Sequence, residues 1–131
     1  MQAIGGQALP VLGTDYPTPD GTAIRDYIHV KDLAQAHVQA LCYLQKTEQN
    51  QVINLGTGTG ASVLDIVNTI EKVTLCKVPL AIFPRREGDA PEAVANASKA
   101  REVLNFTPQY SDLTTIIESE WASFSKQNPS N

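Results

Sequence analysis

Apolar and polar positions change period several times along the chain, and each change marks an element. Leu9 to Gly13 (LPVLG) reads as a short strand. Thr14 to Thr22 holds two prolines and an Asp-Gly pair and reads as a loop. Ala23 to Val30 (AIRDYIHV) is rich in β-formers and reads as extended. Asp32 then opens a helix whose apolar positions, Leu33, His37, Ala40, Leu41 and Leu44, keep i, i+4, i+7, i+8 spacing. After a polar connector at 46–51, Val52 to Leu55 (VINL) predicts a four-residue buried strand. Ser62 is placed to N-cap the next helix, with Asp65 three residues on as an imperfect capping box. Val63, Ile66, Val67, Ile70 and Val73 form that helix's apolar stripe. Val78 to Phe83 predicts another strand, and Pro84 to Glu92 (PRREGDAPE) a loop. Asn96 suits the start of a short helix through Leu104, and Asn105 its end. A last helix begins near Ser111, with Leu113, Ile116, Ile117, Trp121 and Phe124 on one face. Lys126 to Asn131 is polar and is expected to fray, above all over 127–131.

Alternating strands and helices predict an α/β fold with mostly parallel pairing. A parallel sheet needs cover on both faces and several strands. Three or four short strands with strongly amphipathic helices read as a piece that completes a sheet supplied elsewhere. A chain of 131 residues is one domain or part of one. A 42% hydrophobic and 18% charged composition fits a soluble globule. The net charge of −4 argues against a nucleic-acid or anionic-membrane surface. No stretch approaches the roughly 18 apolar residues of a membrane span, and MQAIGGQALP lacks the basic start of a signal peptide. The chain is therefore expected in the cytoplasm. Cys42 and Cys76 lie apart without a CxxC partner, and Cys42 falls on the apolar side of its helix, so both are expected as buried free thiols. Two histidines without a cluster make a metal site improbable.

Two motifs invite an NAD-enzyme reading. Gly56-x-Gly58-x-Gly60 follows a predicted strand and precedes a helix. The dinucleotide fingerprint is G-x-G-x-x-G; here the spacing is one short, Ala61 stands at the third position, and the acidic partner about 20 residues on is missing. A tight strand-to-helix turn is the favoured reading, though a helix N-terminus can still face an anion. Tyr27 and Lys31 have Tyr-x-x-x-Lys spacing, but the pair must share a helix face, where four residues span about 6 Å. In an extended segment they span roughly 13 Å, so a structural tyrosine and a surface lysine are expected. Ser62, an aspartate and a histidine do not make a hydrolase without a G-x-S-x-G elbow. His37 is expected as a hydrogen-bonded core residue.

The arginines leave two readings open. Guanidinium groups match phosphate oxygens bidentately. Arg25 and the adjacent Arg85 and Arg86 come from distant segments and could clamp a pyrophosphate, with Asp89 accepting hydroxyl bonds from a ribose or sugar. Equally, Arg25 could pair with Asp26 and Arg85 with Glu87 on the surface.

Three stretches carry a resemblance: DYPTPDGTAIRDYIHVKDLAQAHVQAL, NLGTGTGASVLDIV and PRREGDAPEAVANASKAREVLNF. They resemble, in order and from about Gly6 to Trp121, the C-terminal part of the UDP-glucose 4-epimerases, a branch of the extended short-chain dehydrogenase/reductases. RDYIHV-x-DLA-x-AH together with PRR-x-GD is specific to that branch.

The resemblance implies a Rossmann-like fold of which this chain is the C-terminal substrate-binding lobe, residues 1–131, without the N-terminal NAD-binding half. The family's glycine loop and Tyr-x-x-x-Lys helix lie in that missing half, which implies no catalytic residue, no cofactor-binding residue and no turnover in this chain alone. Arg25 matches an arginine on the UDP diphosphate, Arg86 the second such arginine, and Asp89 the ribose-binding acid. Pro10 to Leu12 matches the strand that receives uracil, with Leu12 where the family often has Phe. Val63 matches a residue lining the nucleotide site. Ala93 falls where the family varies between a bulky tyrosine and smaller residues beside the sugar's C2 substituent; alanine there implies room for an N-acetyl group. The implied reaction interconverts UDP-glucose and UDP-galactose, with NAD taking hydride from C4 and returning it to the other face. The complete enzyme is implied to be a homodimer. The competing readings are another nucleotide-sugar member, such as a dehydratase or decarboxylase, and a free-standing UDP-sugar-binding module without catalysis.

Overall fold

The two most apolar short runs, LPVL and LAIF, find each other across the chain. The computed structural model describes residues 7–127. Its elements are β1 (Leu9–Leu12), β2 (Ile24–Asp26), α1 (Val30–Thr47), β3 (Gly60–Ser62), α2 (Val63–Thr74), β4 (Leu80–Phe83), β5 (Glu92–Ala93), α3 (Ser98–Leu104) and α4 (Leu113–Gln127). β1 and β4 pair in parallel, from Leu9 opposite Leu80 to Leu12 opposite Phe83. A second sheet has the order β3-β2-β5, with β2 antiparallel to β3 and parallel to β5.

Apolar burial gathers in two places. Ala36, Ala97, Ala100, Leu104 and Phe106 form one core, where small residues let α1 and α3 approach closely, and Ile28, Ala40, Tyr43, Ile53, Leu55 and Val103 pack around it. Val67 and Val78 form the other with Leu9 and Ile70, joining α2 to the β1–β4 pair. α4 packs along α2 without fully burying any residue, and its Trp121 and Phe124 rings stack at 5.8 Å.

The capping box at Ser62 forms completely: its Oγ accepts from the Asp65 amide at 3.0 Å and the Asp65 carboxylate accepts from the Ser62 amide at 3.0 Å. Asn105 ends α3 in the left-handed conformation at φ 54°. Other expectations shift. α1 begins at Val30 with His29 as its cap, its Nδ1 accepting from the Lys31 amide. Asp32 sits inside the first turn. Asn96 bonds Ser98, but Ala97 is the residue at the cap of α3. Of the extended 23–30 segment only Ile24–Asp26 is strand, and β4 starts after Pro79. β3 and β5 arise in stretches read as turn and loop. Val52 to Leu55 is not a strand: Val52 is 86% exposed, and no described strand lies alongside to complete a ladder, which β-propensity cannot replace. Lys126 and Gln127 continue α4; the rest of the expected tail lies outside the described residues.

Of the expected stripe of α1 only Ala40 packs on the core, and Leu33, His37, Leu41 and Leu44 are exposed. The helix buries Asp32 and Ala36 instead, leaving Leu41 57% and Leu44 43% exposed. His37 is therefore exposed rather than in the core, although its Nδ1 lies 2.7 Å from the Leu33 carbonyl oxygen. Cys42 and Cys76 are free thiols as expected but exposed, Cys42 because the helix is rotated and Cys76 because it follows the end of α2. No helix of the described residues is long and apolar enough to cross a membrane.

Three carboxylates tie remote segments together. Asp26 accepts from the Thr57 amide at 2.9 Å, the Thr57 hydroxyl at 2.6 Å, the Gly58 amide at 3.0 Å and the Ala95 amide at 3.2 Å. Asp32, almost wholly buried, accepts from the Gln109 and Tyr110 amides at 2.9 and 2.8 Å and from the Ser111 hydroxyl. Asp20 accepts from the Thr22 amide and hydroxyl and from the Ser62 hydroxyl. In each case burial works to raise the carboxyl pKa, but the donated bonds outweigh it and hold the group below its ordinary value.

Two predictions follow from these ties. All three carboxyls titrate lower in the folded chain, so their contribution is complete above the unfolded value of about 3.9 and is lost as the pH falls through the lower folded values. The urea midpoint should be flat near neutrality and fall below about pH 4; an unchanged midpoint at pH 3 would contradict this. Asp26→Asn should destabilise the chain by about 1–3 kcal/mol, since an amide cannot accept from all four donors. Faster hydrogen exchange at the Thr57 and Gly58 amides is the accompanying sign.

Candidate functional site

The short sheet β3-β2-β5 sets the position of Arg25. Arg25 lies opposite Ala61 on one side and Ala93 on the other. Directly opposed residues share a face of a sheet, so two alanines flank the arginine. Its Nη1 donates to the carbonyl of Ile24 at 2.8 Å and to that of Ala90 at 3.0 Å. Ala90 is the neighbour of Asp89, so β2 delivers Arg25 onto the 84–92 loop. Arg25 has no carboxylate partner among the described residues; the expected pairing with Asp26 is replaced by the bonds Asp26 makes to Thr57, Gly58 and Ala95.

Within the loop the Arg86 Nε donates to Asp89 Oδ2 at 3.0 Å, and the Asp89 amide to the Arg86 carbonyl at 3.3 Å. Gly88, at φ +85°, closes this turn. The Arg86 Nη2 also donates to Asp89 Oδ1 at 3.5 Å, so the carboxylate orients the guanidinium, and the Arg86 side chain remains 67% exposed against 26% for Asp89. Arg85 does not pair with Glu87. It reaches Asp15, 2.7 Å from each of two carboxylate oxygens.

The remaining expected residues adjoin this arrangement to different degrees. Leu12 ends β1 beside Phe83, two residues before Arg85, and the next amide, Gly13, donates to the Phe83 carbonyl at 2.9 Å. Val63 opens α2, its amide donating at 3.2 Å to Ala23, just before β2. Pro10 is exposed and sits lower on β1, opposite Ala81. The structure thus brings Arg25, Arg86, Asp89 and Ala93 to one loop, with Leu12 and Val63 on adjoining elements and Pro10 furthest along its strand.

The glycine stretch is occupied by the protein itself. The Thr57 and Gly58 amides, which a dinucleotide phosphate would need, point at the Asp26 carboxylate. A Cβ on Gly56 would lie 2.5 Å from that carboxylate, so the glycine serves close approach of Asp26. Tyr27 lies outside α1 while Lys31 is in its first turn, with Nζ 5.0 Å from the Tyr110 ring centroid. Burial pushes the Tyr27 phenol up, away from what a base requires, and Arg25 only partly opposes it. Reasoning from the sequence missed Asp15 and the accepting role of Asp26. Both act on residues far away in the chain, and no local spacing marks them.

The chain is similar in sequence and in fold to known proteins. Residues 1–56 match the NAD dependent epimerase/dehydratase family. A UDP-glucose 4-epimerase of Rhizobium leguminosarum bv. trifolii is 50% identical over 93% of this chain and 37% of its own length. The UDP-glucose 4-epimerase of Brucella ovis, solved with NAD, superposes with a TM-score of 0.83 at 51% identity, over 88% of this chain and 36% of that one. The enzyme of Stenotrophomonas maltophila, solved with NAD and formylated UDP-arabinopyranose, gives a TM-score of 0.86 at 41% identity, over 95% and 38%. The chain therefore spans little more than a third of the length of these relatives. In sequence and in fold it is similar to the UDP-glucose 4-epimerases of the extended short-chain dehydrogenase/reductase type, and matches their C-terminal portion.

Proposed function

We propose that this chain is the UDP-holding lobe of a UDP-glucose 4-epimerase that interconverts UDP-glucose and UDP-galactose. The observation that carries the reading is the bond of Arg25 to the Ala90 carbonyl, which brings an arginine from far away in sequence to the loop that holds Arg86 and Asp89. Two cations and a hydroxyl acceptor match a diphosphate next to a ribose. The Stenotrophomonas relative, solved with a formylated UDP-arabinopyranose, supports this ligand class. Holding the nucleotide leaves the hexose free to turn, so that binding energy from the remote UDP positions the reacting carbon.

The residues of this chain do not fit a dinucleotide cradle, because Asp26 already fills the amides of its glycine loop. Binding of NAD, and the proton and hydride transfers, are accordingly assigned to residues outside this chain, which is inactive alone. Its outward apolar surface supports that division. Val30, Val38 and Leu41 on α1, and Ile82 on β4, are each more than half exposed, as expected of faces that meet the rest of a larger enzyme. The complete enzyme is read as a cytoplasmic homodimer from the family resemblance.

Arg86→Ala should weaken UDP binding roughly tenfold to a hundredfold, the worth of charge-assisted bonds of about 1.5–3 kcal/mol. Calorimetric titration of the native polypeptide carrying this sequence measures it, and unchanged affinity would remove the basis of the reading. Ala93 is exposed and flanks Arg25, which supports room beside the sugar for an N-acetyl substituent. The complete enzyme should turn over UDP-N-acetylhexosamines as well as UDP-hexoses, and Ala93→Tyr should suppress the former selectively. Complete rejection of the N-acetyl pair by the unmodified enzyme would refute this.

A further inference from the structure

The two adjacent arginines of the 84–92 loop have different partners. Arg86 turns back within the loop, its Nε and Nη2 donating to the Asp89 carboxylate at 3.0 and 3.5 Å. Arg85 leaves the loop for a remote segment: Nε and Nη2 each donate at 2.7 Å to the Asp15 carboxylate, and Nη2 also donates to the Asp15 carbonyl at 2.9 Å. Its guanidinium lies 4.7 Å from the centroid of Tyr16, a residue only 4% exposed. Exposed single ion pairs contribute little, but this one is bidentate, adds a main-chain bond and stacks on a buried ring.

The segment that receives Arg85 is itself immobilised. Tyr16 and Gly21 close on each other through a 2.9 Å backbone bond, and the Thr18 hydroxyl donates to the Thr22 carbonyl at 2.7 Å. Asp20 fastens this loop to Ser62 at the start of α2. Gly13 fastens it to Phe83 at the end of β4, and adopts φ +90°; a Cβ there would lie 2.6 Å from Arg85 Cγ and 2.7 Å from the Tyr16 ring. A side chain at position 13 would displace the stack, so glycine is needed both for the backbone and for the contact.

We propose that Arg85 is a positioning residue: it braces the 84–92 loop against Asp15 and Tyr16, and thereby fixes Arg86 and Asp89 for the nucleotide without touching it. The proposal rests on the reading of Arg86 as a diphosphate ligand. It accounts for the paired arginines by division of labour, one for the protein and one for the ligand. The rival role, in which Arg85 is a third phosphate ligand beside Arg25 and Arg86, makes the opposite prediction for its partner. Releasing Arg85 from Asp15 would then strengthen UDP binding, whereas a lost brace weakens it.

The experiment titrates UDP into the native polypeptide carrying Asp15→Asn, Arg85→Lys, Arg86→Ala and the double change Arg85→Lys with Arg86→Ala, with circular dichroism reporting the fold of each. Asp15→Asn and Arg85→Lys should each weaken UDP binding roughly tenfold to a hundredfold, the loss typical of an outer-shell partner. A lysine keeps the charge but cannot make the fork or the stack. On the Arg86→Ala background Arg85→Lys should weaken binding by less than it does alone, because the part of its effect that passes through Arg86 is already lost and only the part through Asp89 remains; a general loss of stability would instead lower affinity equally on both backgrounds. If Arg86→Ala weakens binding while Asp15→Asn leaves it unchanged or tighter, the brace is overturned and the nucleotide reading survives. If Arg86→Ala itself binds UDP normally, the nucleotide reading fails, and the proposal with it.

Discussion

The arrangement of this lobe depends on the Asp26 carboxylate. A strand of three residues, β2, cannot hold two remote segments by ladder bonds alone. Asp26 at its end does so by accepting from Thr57, Gly58 and Ala95. The anchor fixes β3 on one side of β2 and the approach to α3 on the other. A half-buried carboxylate is tolerable only because each lone pair meets a donor. The result is a sheet whose central residue, Arg25, is presented between two alanines at a defined height above the 84–92 loop.

Asp32 repeats the device six residues later. Its carboxylate gathers 109–111, the segment that leads into α4. His29 joins the same junction, its amide donating to the Ser111 hydroxyl at 2.9 Å and its Nε2 lying 2.8 Å from the Ser119 hydroxyl. The stretch RDYIHVKD is thus a linear run of anchors. Arg25 bonds the 84–92 loop, and the two aspartates and the histidine bind the chain to segments far away in sequence. One short segment therefore couples that loop to the segments leading into α3 and α4, which is a physical reason for so dense a sequence of polar residues.

A groove of about 570 Å³ runs along Lys31, Gln35, Gln39, Thr107 and Tyr110, and includes none of the arginines. Arg85, Asp15 and Tyr16 on one side, and the Arg25 bond to Ala90 on the other, hold the 84–92 loop from both ends. Val30, Val38 and Leu41 on α1 and Ile82 on β4 are each more than half exposed.

What the sequence by itself determined is local. Ser62 and Asp65 specify a capping box, Asn105 a left-handed helix end, LPVL and the LAIF run a strand each, and RDYIHV with PRR-x-GD the family resemblance. Periodicity found all four helices, because hydrophobic spacing and end chemistry act within one or two turns. Only the tertiary structure decided which face of α1 is inside: the apolar count favoured Leu33, Leu41 and Leu44, but Asp32 with its three donors and Ala36 against α3 turned the helix the other way. It likewise withheld a ladder from Val52 to Leu55, made strands of Gly60–Ser62 and Glu92–Ala93, and gave Arg85 to Asp15 rather than Glu87. Strand pairing and ion pairing are relations between distant residues, and a pattern read along one chain carries no term for the partner.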